Sequence, residues 1–213
     1  MLRRQFGYLA LSGLGLALLL AVVPAQAATL SGDALVSALK QGGYVILMQH
    51  TSSPAAVPDK SVANPDNTTP ERQLDKNGET TATAFGAAVK KLGLPVGNVL
   101  SSPTYRALET VKFAGLGTPQ THTELGDGGT SMSPDTVAAW ASWLKMTVAT
   151  PPAAGKDTFI ITHQPNIAAA FPVDGMGLAD GQALVYLPDG KGSAQLVATI
   201  KIEEWPQFAA AQH

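Results

Sequence analysis

Apolar positions along the chain fall into short runs separated by polar, glycine-rich and proline-rich punctuation. Runs of strand length occur at residues 44–48, 98–100, 158–162, 183–187 and 196–200. Helical patterns lie between the earlier runs, and this alternation predicts an α/β fold with a mostly parallel central sheet covered by helices on both faces. The first helix is predicted to start with Asp75 as N-cap, to carry Phe85, Val89 and Leu92 on one face, and to end at Gly93 before Pro95. A second is predicted to open at Ser102-Pro103, and a third at Ser133-Pro134 with an apolar stripe of Val137, Trp140, Ala141 and Leu144. Trp140 and Trp143 at this spacing are read as packing rather than as a stacking platform. Pro188 to Gly192 is a turn joining the last two strands into a C-terminal hairpin.

The stretch from Thr51 to Leu74 breaks the pattern. It holds Pro54, Pro58, Pro65 and Pro70 among Asn, Asp and Ser, and has no period. Loops of this length in compact domains are usually functional lids or simply disordered. Asn67-Thr68-Thr69 fits a glycosylation acceptor pattern, which is also a frequent chance match.

The N-terminus adds a separate signal. Arg3 and Arg4 precede an almost purely apolar segment at residues 8–23, followed by Pro24 and the small-residue pattern Ala25-Gln26-Ala27. This predicts a signal peptide over residues 1–27 and a single domain over 28–213. The short apolar stretch and Pro24 favour cleavage over a retained anchor, so the expected location is periplasmic or secreted. The Arg3-Arg4-Gln5-Phe6 run also has a twin-arginine look, although two arginines are ordinary in any signal peptide.

Composition narrows the chemistry. The chain has no cysteine, which excludes disulfides, a thiolate nucleophile and zinc–cysteine sites. Subtracting Arg3 and Arg4 from the 14 basic residues leaves 12 against 16 acidic ones, a formal charge of −4. No clustered basic surface suggests a nucleic-acid partner. No metal-ligand spacing stands out.

Three predicted strands run directly into polar residues suited to phosphate: His50, then Ser101-Ser102 with Arg106, then His163. Ligands in open α/β sheets bind beyond the carboxyl ends of the strands, so these residues are expected to converge. Arg106 falls in the first turn of its helix, where a cation is mildly unfavourable unless an anion joins it. A surface pairing with Glu109 is the alternative for that arginine. His122 and His213 lie outside the pattern.

Four segments carry a resemblance. Gly43 to Thr51 resembles the R-H-G/A segment of the histidine phosphatase, or phosphoglycerate mutase-like, superfamily. Arg72-Gln73-Leu74-Asp75-Lys76-Asn77-Gly78 is similar to its R-x-L-T-x-x-G segment, and Ser101 to Thr110 to its S-S-P-x-x-R-A-x-x-T segment. Thr162-His163-Gln164-Pro165-Asn166 is similar to the second-histidine segment, with Pro165 able to begin another helix. The resemblance implies a cofactor-free and metal-free phosphatase on a phosphorylated small molecule, with His50 as nucleophile and Arg106 and His163 in the phosphate pocket. Ser102 and Arg72 are expected to help bind substrate. Glu124 matches the position of the proton donor, with Asp127 as the alternative. Gln49 departs from the pattern, because the family has a phosphate-binding arginine there. Glutamine donates hydrogen bonds but brings no charge and no bidentate fork. The resemblance therefore leaves two expectations: a hydrolase of reduced activity, or an inactive module that binds phosphorylated or other anionic ligands.

Overall fold

The computed structural model describes residues 29–54, 72–126 and 132–212. The expected signal peptide, Asp127, the Asn67 pattern, most of the 51–74 loop and His213 lie outside the described residues.

One six-stranded sheet organises the chain. In chain order its strands are β1 (Val45–Gln49), β2 (Val96–Ser101), β3 (Gln120–Thr121), β4 (Asp157–Thr162), β5 (Ala183–Pro188) and β6 (Ala194–Ile200). Their spatial order is β3-β2-β4-β1-β5-β6. The first three pairings across the sheet are parallel, whereas β1 with β5 and β5 with β6 are antiparallel. The predicted sheet and C-terminal hairpin are both present, with the turn at residues 189–193.

Strand periodicity divides the core into two layers. Ile46 and Met48 of β1 face a layer that includes α1 (Gly32–Gln41), α2 (Lys76–Leu92), α3 (Tyr105–Ala114) and α6 (Glu204–Ala211). Val45 and Leu47 face the opposite layer, built on α4 (Pro134–Val148) and α5 (Gln164–Ala170). Every residue of β1 and β4 is buried, as the continuous apolar runs require of strands covered on both sides. α2 has the predicted caps: Asp75 accepts from Gly78 N–H at 2.7 Å, and Gly93 closes the helix in the left-handed conformation. Ser133 likewise caps α4 by accepting from Thr136 N–H at 3.2 Å.

Two expectations change in detail. α3 begins at Tyr105 with Thr104 in the cap position, not at Ser102-Pro103. Ser102 lies one residue beyond β2, its N–H donating to the Ile161 carbonyl at 2.9 Å and its hydroxyl engaged by His163 and Thr104. On α4 the buried positions are Ala141, Leu144 and Val148, while Val137, in the first turn of the helix, is exposed. Trp143 packs against the core and lies 4.9 Å from the His122 ring, and Trp140 closes over Gly126. Both tryptophans are packing residues.

Candidate active site

Register brings the polar strand ends together. Gln49 of β1 is paired with Thr162 of β4, and Ser101 of β2 with Ile161, so His50, Ser102 and His163 leave the sheet side by side. His50 N–H donates to the Thr162 carbonyl at 3.0 Å, fixing the two histidine-bearing strand ends to each other. Their rings lie 5.2 Å apart in an edge-on arrangement.

Hydrogen bonding sets the protonation of both rings. His50 Nδ1 lies 2.7 Å from the Thr51 carbonyl, which only accepts, so Nδ1 carries the proton and Nε2 the lone pair. Arg106 Nε donates to that Nε2 at 2.9 Å. The same guanidinium reaches His163 Nδ1 through Nη2 at 2.9 Å. Because guanidinium nitrogens only donate, His163 Nδ1 is an acceptor and its proton sits on Nε2. That Nε2 donates to Ser102 Oγ at 2.9 Å and lies 3.3 Å from Thr104 Oγ1. Burial, helped by the neighbouring Arg106, His50 and Arg72, holds the His163 pKa well below the ordinary histidine value. The site thus contains one cation between two rings that both offer it a lone pair.

Anchoring residues surround these three. Thr51 N–H donates to Thr110 Oγ1 at 3.1 Å, and the Thr110 hydroxyl donates to the Arg106 carbonyl at 2.8 Å. The loop that follows His50 and the first turn of α3 therefore share one threonine. Asp75 N–H donates to the Ser52 carbonyl at 3.1 Å and Ser52 Oγ to Asp75 Oδ2 at 2.8 Å, docking the start of α2 onto the same loop. Arg72 donates from Nε to Ser53 Oγ at 3.0 Å and from Nη2 to the Ser53 carbonyl at 2.9 Å, which places a second cation three residues beyond His50. The alternative partner for Arg106, Glu109, instead accepts from Leu74 N–H at 2.8 Å.

Gln49 is 8% exposed, and its Nε2 donates to Asp180 Oδ1 at 2.8 Å. Its Oε1 is buried and meets no donor among the described residues. Glu124 sits in a single 3₁₀ turn, Thr123–Leu125. Its carbonyl accepts from Asn166 Nδ2 at 2.9 Å, and the Leu125 carbonyl accepts from Thr162 Oγ1 at 2.7 Å. This ties the turn to the residues flanking His163. Of the expected site residues, His50, Arg106, His163 and Ser102 form one hydrogen-bonded cluster, and Arg72 and Gln49 border it. Glu124 is connected through its backbone. Thr51, Thr104, Thr110 and Asp180 were not singled out from the sequence. The first three had a legible signal in lying within or beside the matched motifs, whereas Asp180 had none.

The mostly parallel six-stranded sheet covered by helices on both faces is the phosphoglycerate mutase-like α/β fold, with His50 and His163 at adjoining strand ends and Arg106 in the first turn of α3. No protein-family model matches the sequence, and no curated protein matches it. Solved structures do. The protein histidine phosphatase SixA complexed with tungstate superposes with a TM-score of 0.52 at 18% identity, over 76% of this chain and 98% of that one. A phosphoserine phosphatase mutant from Entamoeba histolytica in complex with phosphoserine gives 0.52 at 15% identity, over 75% of this chain and 98% of that one. The open reading frame Rv3214 from Mycobacterium tuberculosis gives 0.51 at 16% identity, over 72% and 95% respectively. At these identities the shared property is the fold.

Proposed function

We propose that the chain is a phosphomonoester hydrolase that works through a phosphohistidine at His50. One observation carries this reading: the Thr51 carbonyl fixes the His50 tautomer, leaving Nε2 as a lone pair directed at Arg106, itself bridged to His163. Fold kinship with proteins described as histidine and phosphoserine phosphatases supports it. In the first step His50 Nε2 forms a bond to phosphorus while the ester oxygen departs and takes up a proton. Glu124, or Asp127 nearby in sequence, is the proposed donor. Water then attacks phosphorus, releasing inorganic phosphate and the imidazole. Splitting the displacement in this way suits a neutral imidazole nucleophile. Arg106 would stabilise the equatorial oxygens, joined by His163 once its Nδ1 takes up a proton beside the entering phosphoryl dianion, Ser102 holding the Nε2–H, with Arg72 adding positive charge. No step on this reading calls for a metal ion or cofactor.

Gln49 favours a second reading. Its amide donor is committed to Asp180, so this position brings no charge to the phosphoryl group. A chain weakened far enough would bind phosphorylated ligands without turnover. The deciding experiment is an assay of residues 28–213 on a generic phosphomonoester, beside Gln49→Arg and His50→Ala, with labelled substrate to trap phosphohistidine. Turnover and label that both vanish in His50→Ala are expected. Phosphate protection in thermal melts without label would favour the binding module. The proposed substrate is a small phosphorylated molecule encountered outside the cytoplasm, a location that rests on the residue 1–27 pattern. N-terminal sequencing of the exported chain should begin at Ala28, and a retained Met1 in the membrane fraction would reject the leader.

A further inference from the structure

The pairing of Gln49 with Asp180 has a chemical direction. A carboxylate only accepts, so the Gln49 amide must turn Nε2 toward Asp180 Oδ1, which is 2.8 Å away. The amide oxygen is thereby aimed away from Asp180, and it is the buried Oε1 that meets no donor among the described residues. A buried acceptor left in this state destabilises the chain until a donor reaches it.

Asp180 is held in place, although it is exposed. Gly181 N–H donates to the His50 carbonyl at 3.0 Å, and Gln49 N–H to the Gln182 carbonyl at 3.1 Å. Gln182 closes the turn from within, its N–H donating to the Ala179 carbonyl at 3.0 Å and its Oε1 accepting from Ala179 N–H at 2.9 Å. The carboxylate is therefore fixed beside the residue that precedes the nucleophile. Where the resembling family places a cation, this chain has a neutral acceptor backed by a negative charge. That combination is poorly suited to a phosphate oxygen and well suited to an N–H cation.

We propose that Gln49 and Asp180 form a specificity element selecting phosphate esters that carry an ammonium group close to the phosphoryl group. The ammonium would donate to Gln49 Oε1 with its charge balanced by Asp180, while Arg106 and His163 hold the phosphoryl oxygens. The inference rests on the proposed phosphatase reading for the placement of phosphorus at His50.

The test compares O-phosphoethanolamine with n-propyl phosphate, which has the same number of heavy atoms beyond the ester oxygen but no charge. Both kcat/KM and the concentration giving half-maximal thermal protection are measured for wild type, Asp180→Asn and Asp180→Ala. Asp180 is exposed, so both variants should fold, as melts will show. A preference for the ammonium ester of about tenfold to a hundredfold is expected, the range of one hydrogen bond to a charged group. It should fall close to one in both variants. Turnover without preference, or a preference unchanged in Asp180→Asn, overturns the inference and leaves the phosphatase reading intact. This includes the case in which Oε1 accepts from a protonated phosphate oxygen. No turnover, with an Asp180-dependent preference in thermal protection, supports the inference and removes the catalytic reading. Failure of both esters to bind and to react overturns both.

Discussion

Arg106 Nε donates to His50 Nε2 at 2.9 Å, so the lone pair proposed to attack phosphorus is capped by the cation proposed to stabilise the transferring group. Attack requires Arg106 to move its N–H groups from imidazole nitrogens onto phosphoryl oxygens. The exchange is favourable, because bonds to an anion are about twice as strong as bonds to a neutral acceptor. On the proposed mechanism, substrate exposes His50 Nε2 by drawing Arg106 onto its own phosphoryl oxygens.

Lysine cannot span both rings, since it offers a point charge rather than a planar fork. Arg106→Lys is expected to lower kcat/KM by about 10³–10⁵, the range found for transition-state arginines in phosphoryl transfer. Steady-state kinetics on any hydrolysed ester checks this. A loss under tenfold would remove Arg106 from its proposed role.

Placing a cation at residue 49 should help phosphate esters whose alkyl group is uncharged, and only partly. One preorganised donor to a developing charge is worth about 10²–10³ in rate. In Gln49→Arg, however, Asp180 lies where it would pair with the new guanidinium. Gln49→Arg with Asp180→Asn should therefore exceed Gln49→Arg alone in turnover of n-propyl phosphate. Equal rates in the two would show that Asp180 does not hold the new side chain.

The crossing of α2 over α3 depends on Gly86, where a Cβ would overlap the Ala114 carbonyl. A backbone oxygen cannot yield as a flexible side chain can. Gly86→Ala is expected to destabilise the chain by about 1–3 kcal/mol, as overpacking typically does, despite alanine's better helix propensity. Urea unfolding should show a lower midpoint at unchanged slope.

Asp157 begins β4, at the opposite end of that strand from His163. Burial pushes its carboxyl up from the ordinary 3.8 to about 7, against the lowering effect of the Tyr44 N–H that donates to it at 2.9 Å. Between pH 4 and pH 7 the native chain keeps a proton there that the unfolded chain has lost. This group's contribution to stability is therefore present in full below pH 4, declines through the window, and levels off above pH 7. His163 works in the opposite sense, because its pKa is depressed: below about pH 6.5 the unfolded chain takes up a proton that the native chain refuses. Comparing melts of wild type and Asp157→Asn from pH 4 to 9 isolates the carboxyl. The variant should gain on wild type as pH rises from 4 to 7, and a constant difference would exclude a buried protonated carboxyl.

Legibility in the sequence followed the range of the interactions. The strands β1 and β4 announce themselves because burial on both faces demands unbroken apolar runs. α2 and α4 do so because a cap is a local chemical event. α1 and α6 also had the spacing, in Leu35, Val36 and Leu39 and in Trp205, Phe208 and Ala209. Each is one short stripe beside a stronger pattern, the apolar segment at residues 8–23 in the first case and the C-terminal hairpin in the second. The two-residue strand β3 has no period to detect. At the site, His50, Arg106 and His163 were placed by strand ends and motif order, since each local segment states its own position. Asp180 was invisible because its partner Gln49 lies 131 residues away, joined by sheet pairing rather than by any local pattern. The tautomers were invisible as well, being fixed by carbonyls that every residue has.

The antiparallel direction of β5 has a consequence for the order in which the molecule can be built. It runs against β1, with Ala183 opposite Met48, so one flank of β1 is closed by residues far later in the sequence. Pairings of such long sequence separation form slowly. During synthesis, a chain that has reached His163 already holds both histidines and Arg106, yet β1 still shows an open row of amides and carbonyls along Val45 to Met48. Open apolar edges of this kind invite pairing with other chains. A product stopped short of residue 183 would thus retain the groups of the His50–Arg106–His163 cluster and be prone to aggregate through the strand that leads into His50.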